Sequence, residues 1–389
     1  MNSSPCSETI FAGYRRSHSD WWGPFFSRLS FKAVVLMLFA MTCVSAQAAE
    51  KAVRIYGWAD YVPTETLKKF EEKTGIKVQY DTFDSVDVLE TKMLTGASGY
   101  DVVMPGAAMV GRLIQAKALR PSQMSGSQTM ADADPQLLAQ LAEIDPGNAY
   151  AIPYTWGTTG LAFNRQAVAK RIPNPPINSL DLLFKPEYAS RLKDCGIAII
   201  DSPQEVISIV LNYLGKPPFS KDPADLKQAD ELLSQLHPSL RYIRFGTQMS
   251  DLANGDICLA LTYNGDAIVA KNQALAAHQA FDIDFSVPVE GTMAWVDTLS
   301  IPADAPHPEE ARTFIAFVTS PESMADVTTT LFYANANKAA TQLLPKDISD
   351  NPSIYPSAAL RAKLFGEQPL PARIMRERTR LWASFRTQR

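Results

Sequence analysis

Arg54-Ile55-Tyr56-Gly57-Trp58-Ala59-Asp60-Tyr61-Val62-Pro63 begins as a strand and ends with two aromatics and an acid at that strand's mouth. Val53 and Ile55 belong to a run of β-formers that suits a buried parallel strand, Gly57 breaks the run, and Pro63 is placed to open a helix in its first turn. In an open α/β sheet a ligand sits beyond the carboxyl ends of the strands, so Trp58, Ala59, Asp60 and Tyr61 fall where a ligand would. The plain alternative is that Trp58 caps a core and Asp60 caps the helix, and one such turn alone does not separate the two. The recurrence of aromatics and acids at later strand ends favours the ligand reading.

Working outward, Leu67 and Phe70 among Glu65, Lys68, Lys69, Glu71 and Glu72 predict an amphipathic helix over 64–74, stopped by Gly75. Ile76 to Tyr80 alternate as the next strand, which completes a βαβ unit. A second helix is expected over 86–94, then a buried strand over 100–105 leading to Gly106, where backbone can approach a ligand closely. The segment 151–164 is extended, apolar and punctuated by glycine, and reads as the first crossing between two lobes. A strand over 196–201 leads to Glu205 in the first turn of a helix, and another over 257–262 leads to Tyr263 and Asp266. A strand over 281–288 returns the chain to the first lobe. In the extended piece that follows, Trp295 and Asp297 share a face, as side chains two apart do. Tyr333 lies near a third crossing.

Residues 1–48 read as a secretory leader. Arg28 and Lys32 precede an uncharged run over 33–46 that is too short to span a bilayer, and Ala46-Gln47-Ala48 fits the small-x-small cleavage rule. The mature chain is then expected to start at Ala49, in the periplasm. Cleavage removes four basic residues and two acids, moving the formal charge from −4 to −6. A mildly acidic chain argues against nucleic acid, whose binding rests on Lys and Arg neutralising phosphates. The ~340 residues that remain exceed one ordinary core, so two lobes are expected. Only Cys195 and Cys258 outlast the leader, and in an oxidising compartment they are expected to form one bridge. A thiol enzyme using either cysteine is the rival, but His237, His278 and His307 sit in no recognisable Cys/His motif. No cofactor and no metal is expected.

Collected from strand mouths, the candidate residues are Trp58, Tyr61, Tyr263, Trp295 and Tyr333 with Asp60, Glu205, Asp266 and Asp297. Aromatics and acids without Arg, Lys or His describe a site for a cation with an apolar body. An ammonium needs carboxylate acceptors and gains about 0.5–2 kcal/mol from each ring face it meets. A methylene chain needs flat apolar walls.

Trp58-Ala59-Asp60-Tyr61, Thr74-Gly75-Ile76-Lys77-Val78, Tyr80-Asp81, Leu252-Ala253-Asn254-Gly255-Asp256, Glu290-Gly291 and the run from Phe332 to Ala340 resemble the periplasmic polyamine-binding proteins of ABC importers, closest to their putrescine-binding branch. The resemblance covers essentially the whole mature chain. It implies an α/β, two-lobed periplasmic binding protein of type II, each lobe a mixed, mostly parallel sheet flanked by helices, joined by a multi-strand hinge. The lobes are expected over 49–153 plus 286–333 and over 154–285 plus 334–389. By the same resemblance Trp58, Tyr61 and Tyr333 are aromatic walls with Trp295 in their box, Glu205, Asp266 and Asp297 bind ammonium groups, Asp60 is a neighbouring acid, and Cys195 and Cys258 are bridged.

Three positions depart from the pattern: Ala59 stands where a hydroxyl is usual, Gly106 where the putrescine branch has Ser, and Tyr263 where it has Trp. Trp295 resembles the spermidine-preferring branch, which leaves putrescine, spermidine, cadaverine and agmatine open. The expected protein is a monomeric binding component that delivers a polyamine to a membrane permease and catalyses nothing. A sensor whose ligand-closed form is read by a signalling partner is the runner-up.

Overall fold

The first strand, β1 (Ala52–Trp58), buries Val53 and Ile55 completely, which is the physical outcome of its apolar run. The structure, a computed structural model, describes residues 51–388, so the leader read from residues 1–48 lies outside the described residues. Helix α1 (Thr64–Thr74) follows Pro63, buries Phe70, and ends where Gly75 turns left-handed at φ 70°. Next come β2 (Lys77–Phe83), α2 (Val86–Leu94) with Ser85 accepting from the backbone N–H of Val88, and β3 (Val102–Val103). The strand expected over 100–105 is regular only at Val102 and Val103. Pro105 has no N–H to offer a ladder, and its carbonyl is taken by the backbone N and the Oγ1 of Thr298.

The chain continues through α3 (Ala107–Gln115), β4 (Leu119–Arg120), α4 (Pro135–Ala142) and the long β5 (Ala151–Asn164), in which every residue is buried. Then follow β6 (Ile197–Ile199), α5 (Pro203–Tyr213), α6 (Pro223–Leu236), β7 (Leu240–Ile243), α7 (Gln248–Asn254) and β8 (Leu259–Tyr263). The last part holds α8 (Asn264–Ala276), β9 (Ile283–Ser286), β10 (Ala294–Pro302), α9 (Pro308–Val318), α10 (Pro321–Leu331), β11 (Ala334–Asn335) and α11 (Ala372–Thr387).

The strands run in the order β2-β1-β3-β10-β5-β8-β6-β7. β1 is parallel to β2 and β3, and β6 is parallel to β7 and β8. β5 joins the two parallel sets through antiparallel pairing. Its Ala151–Thr158 half pairs with β10, and from Thr159 onward it pairs with β8, so the ladder changes partner between Thr158 and Thr159. β9 and β11 also pair antiparallel with β5.

The apolar core divides accordingly. One part gathers Val53, Ile55, Val102 and Leu299, and the other gathers Leu161, Phe163, Ile197, Ile199 and Leu261 with Val206 and Ile209 of α5. Cys195 and Cys258 are bridged with Cα atoms 5.5 Å apart, tying the entry of β6 to the entry of its parallel neighbour β8. The two-lobed α/β architecture with a mixed sheet is the one expected from the sequence.

Candidate functional site

Each parallel strand set ends at the β5–β10 junction, and the side chains leaving those strand ends converge there. Tyr61, just past β1, donates its phenolic hydrogen bond to Oδ2 of Asp297 over 2.5 Å, with the hydroxyl of Thr155 on β5 at 2.8 Å. Tyr333, just before β11, donates to Oδ1 of Asp266 over 2.7 Å. Tyr263, at the end of β8, donates to Oε2 of Glu205 over 3.2 Å, and the hydroxyl of Thr159 on β5 donates to the other oxygen of that carboxylate. Three acid–tyrosine pairs thus come from five separate places in the chain, Tyr263 and Asp266 sharing one.

The rings form one box. Trp295 stands edge-on to Tyr333 (centroids 4.8 Å apart, 85° between planes) and to Tyr263 (5.7 Å, 80°), and Tyr61 lies 6.2 Å from Tyr333. Two glycines make room for it. A Cβ on Gly157 would lie 2.3 Å from Cζ2 of Trp295, and one on Gly265 would lie 2.4 Å from Cε1 of Tyr333 and 2.5 Å from the carbonyl of Leu331. The indole Nε1 of Trp295 is buried and has no acceptor among the described residues.

The first turn read from the sequence is divided by the fold. Tyr61 is buried (7% exposed), whereas Ala59 and Asp60 are exposed and Asp60 adopts a left-handed φ of 55°. Asp60 therefore stands at the rim rather than among the carboxylates of the box. Trp58 is half-buried, tilted against Phe83 at 4.4 Å and stacked on Phe245 at 5.9 Å with 26° between planes. Gly106, the residue before α3, bridges to Asp297, and a Cβ there would meet Oδ1 of Asp297 at 3.5 Å and Oε2 of Glu367 at 3.7 Å.

Burial sets the electrostatics. Glu205, 5% exposed, has its carboxyl pushed up to about 7, and Asp297 is likewise pushed up to about 7, in both cases chiefly by loss of solvent and with the nearby Glu367 charge adding to it. Asp266 and Glu367 are raised by burial as well. Among the described residues none of these four carboxylates forms an ion pair with Lys, Arg or His. A buried carboxylate without a cation is costly, and the site therefore favours an occupant that brings positive charge. Among the described residues no group of three or more His, Cys, Asp or Glu is arranged to hold a metal ion, and no helix is long and apolar enough to cross a membrane.

An open groove of about 430 Å³ lies elsewhere, lined by Arg165, Lys271 and Asp284 among others, and contains none of the box residues. Its charges are already matched, since both cations pair with Asp284.

Sequence reading missed Phe245 and Glu367. Phe245 follows β7 and precedes Gly246, the same strand-end aromatic beside a glycine that marked the other mouths, so a signal was present. Glu367 lies in the tail outside any strand mouth, and nothing in its local pattern marks it.

Comparison with known proteins agrees with this picture. Residues 65–356 match the family described as bacterial extracellular solute-binding protein. The chain is 42% identical over 352 residues to the putrescine-binding periplasmic protein PotF of Escherichia coli (strain K12), covering 90% of this chain and 95% of that one. It is 39% identical over 356 residues to the putrescine-binding periplasmic protein SpuD of Pseudomonas aeruginosa (strain UCBPP-PA14), covering 91% and 97%. Among solved structures, the spermidine/putrescine ABC transporter substrate-binding protein PotD from Streptococcus pneumoniae strain Canada MDR_19A superposes with a TM-score of 0.73 at 28% identity, covering 86% of this chain and 98% of that one.

Proposed function

Because the chain belongs to the bacterial extracellular solute-binding protein family, we propose that it is the periplasmic component of an ABC importer that binds putrescine or a related polyamine and hands it to a membrane permease. The observation that carries this reading is the aromatic box whose acids, Glu205 buried and Asp266 and Asp297 half-buried, are each bonded to a tyrosine and, among the described residues, to no cation. Ammonium groups would supply the missing charge, and the faces of Trp58, Tyr61, Tyr263, Trp295 and Tyr333 would cover the methylene chain. Ala59, Asp60 and Gly106 line the rim and floor. The protein is read as a monomer that catalyses nothing.

Closure would bring the lobes, 49–153 plus 286–333 and 154–285 plus 334–389, together around the amine. Support comes from β5, which exchanges partners between Thr158 and Thr159, and from β9 and β11, which pair with it on either side of that point. Isothermal calorimetry of the mature protein against putrescine, cadaverine, agmatine, spermidine and spermine tests the reading. Saturable one-to-one binding of at least one amine is expected, and heats indistinguishable from dilution for all five would overturn it.

A further inference from the structure

Arg378 on α11 is the largest fully buried side chain among the described residues, 0% exposed, and it forms no ion pair among them. Burial draws its pKa down to about 10. The guanidinium bonds only to neutral oxygens. Nη2 donates to the carbonyl of Pro218 over 2.8 Å, and Nη1 donates to the hydroxyl of Ser208 over 2.9 Å and to the carbonyl of Gln204 over 3.4 Å. Nε has no acceptor among the described residues. A buried charge without a counter-charge is costly, and an apolar chain of the same volume would pack α11 against α5 without that cost. What an apolar chain would lack is a grip on those three oxygens.

Two of the three oxygens lie in the part of α5 that carries Glu205. Gln204 and Ser208 share a helix face at i, i+4, and Glu205 stands on the next one round, where its carboxylate meets Thr159 of β5 and Tyr263 of β8. α11 also holds the turn that leads into α5, since Nε1 of Trp382 donates to Oδ1 of Asp201 over 2.6 Å and Arg386 pairs with Oδ2 of Asp201 at 2.9 Å. The chain is thus gripped on both sides of Glu205, at Asp201 and Gln204 before it and at Ser208 after it. A binding group has to be held to within roughly 0.5 Å of its working position. We propose that Arg378 is a positioning residue of the amine site, a buried guanidinium on α11 that fixes the start of α5 and so sets the Glu205 carboxylate against Thr159 and Tyr263. The proposal rests on the polyamine reading above and adds to it a residue that bonds to no side chain of the box.

A double-mutant cycle with Glu205→Gln tests it. Arg378→Met keeps an unbranched chain of similar length and gives up all three bonds, whereas Arg378→Lys keeps the charge without the planar fork. Calorimetry with putrescine and with spermidine is run on wild type, on each single variant and on each Arg378 variant combined with Glu205→Gln, with thermal melting of the ligand-free proteins to confirm folding. For the amine that wild type binds more tightly, Arg378→Met is expected to weaken binding about tenfold, and Arg378→Lys about threefold, when Glu205 is present. Neither is expected to change affinity by more than about twofold in the Glu205→Gln background, because residues that act through one another are not additive. Arg373→Met, at an exposed position of the same helix, is the control and is expected to bind as wild type. If Arg378→Met fails to melt cooperatively, the cycle with Arg378→Lys decides. The proposal is overturned if the Arg378 variants bind as wild type, or if they lose the same factor whether or not Glu205 is present, which is what a general loosening of the fold would give. If wild type binds neither amine, the polyamine reading itself falls, an outcome distinct from those two.

Discussion

Tyr61 and Asp297, 236 residues apart in the chain, meet through a 2.5 Å hydrogen bond donated by the phenol. The bond joins the first strand's mouth to β10 and fixes one carboxylate of the box. Asp266, bonded to Tyr333, is held in the same way from α8. An ammonium hydrogen-bonded to such a desolvated carboxylate loses about 2–5 kcal/mol when the partner is truncated, much of it from being left unpaired. Asp266→Asn and Asp297→Asn are each expected to weaken amine binding by roughly 30-fold or more, taking 1.4 kcal/mol as tenfold. Glu72→Gln is the control, since Glu72 is exposed, whereas Glu71 is tied to Lys77 and to the backbone N of Val78. Both aspartate variants binding every amine within threefold of wild type would falsify the site.

The raised carboxyls give binding and stability opposite dependences on pH. Glu205 and Asp297 start from 4.5 and 3.8 and stand at about 7 in the fold. In the ligand-free protein the folded state therefore holds more protons than the unfolded one across that window. The stability these groups contribute is present at pH 4 and is lost as pH rises through 7. Amine binding needs the ionised forms, so affinity should climb between pH 6 and 8 and binding should release protons. Calorimetry in buffers of different ionisation enthalpy reads that release, and thermal melting reads the stability. Glu205→Gln should flatten both slopes, and slopes identical to wild type would count against this account.

Trp58 and Phe245 stack at 5.9 Å between β1, next to one end of the strand order, and the loop after β7 at the other. An aromatic pair contributes about 0.5–1.5 kcal/mol beyond its buried area. Phe245→Ala is accordingly expected to weaken amine binding about threefold to tenfold, mainly by faster dissociation from an unlatched cleft. Trp58→Ala should cost more, because it also removes a ring face from the ligand. Stopped-flow dissociation rates equal to wild type in Phe245→Ala would dispose of the latch.

Gly265 lies against Tyr333 so closely that any side chain collides with the ring and with the carbonyl of Leu331. Gly265→Ala should displace Tyr333 from Asp266 and lower amine affinity by an amount comparable to Asp266→Asn. A crystal structure of the variant with Tyr333 in place and affinity intact would show that the close approach is not required.

The bridge between Cys195 and Cys258 closes a loop with a sequence separation of 63. In the chain-entropy account such a loop contributes roughly 4 kcal/mol through the unfolded state. Reduction should lower the melting temperature without altering amine affinity at 25 °C, since neither sulfur touches the box. Alkylation of the native protein before and after reduction counts the thiols, and two free thiols before reduction would contradict the bridge.

The sequence by itself determined the elements whose information is local. Helices over 64–74 and 86–94 and the extended segment over 151–164 stand where periodicity and Gly75 place them, because amphipathic spacing and φ-restricted residues act within a turn or two. Aromatics and acids at strand ends were legible for the same reason, as was the pairing of Cys195 with Cys258. Tertiary structure alone decided which acid meets which tyrosine, that Asp60 turns out to the rim while Tyr61 turns in, and that Phe245 and Glu367 arrive from a distant loop and the tail. It also decided the charge state of the carboxylates. A residue's pKa depends on the solvent it loses and the charges it faces, and those come from chain segments hundreds of residues away that no local pattern records.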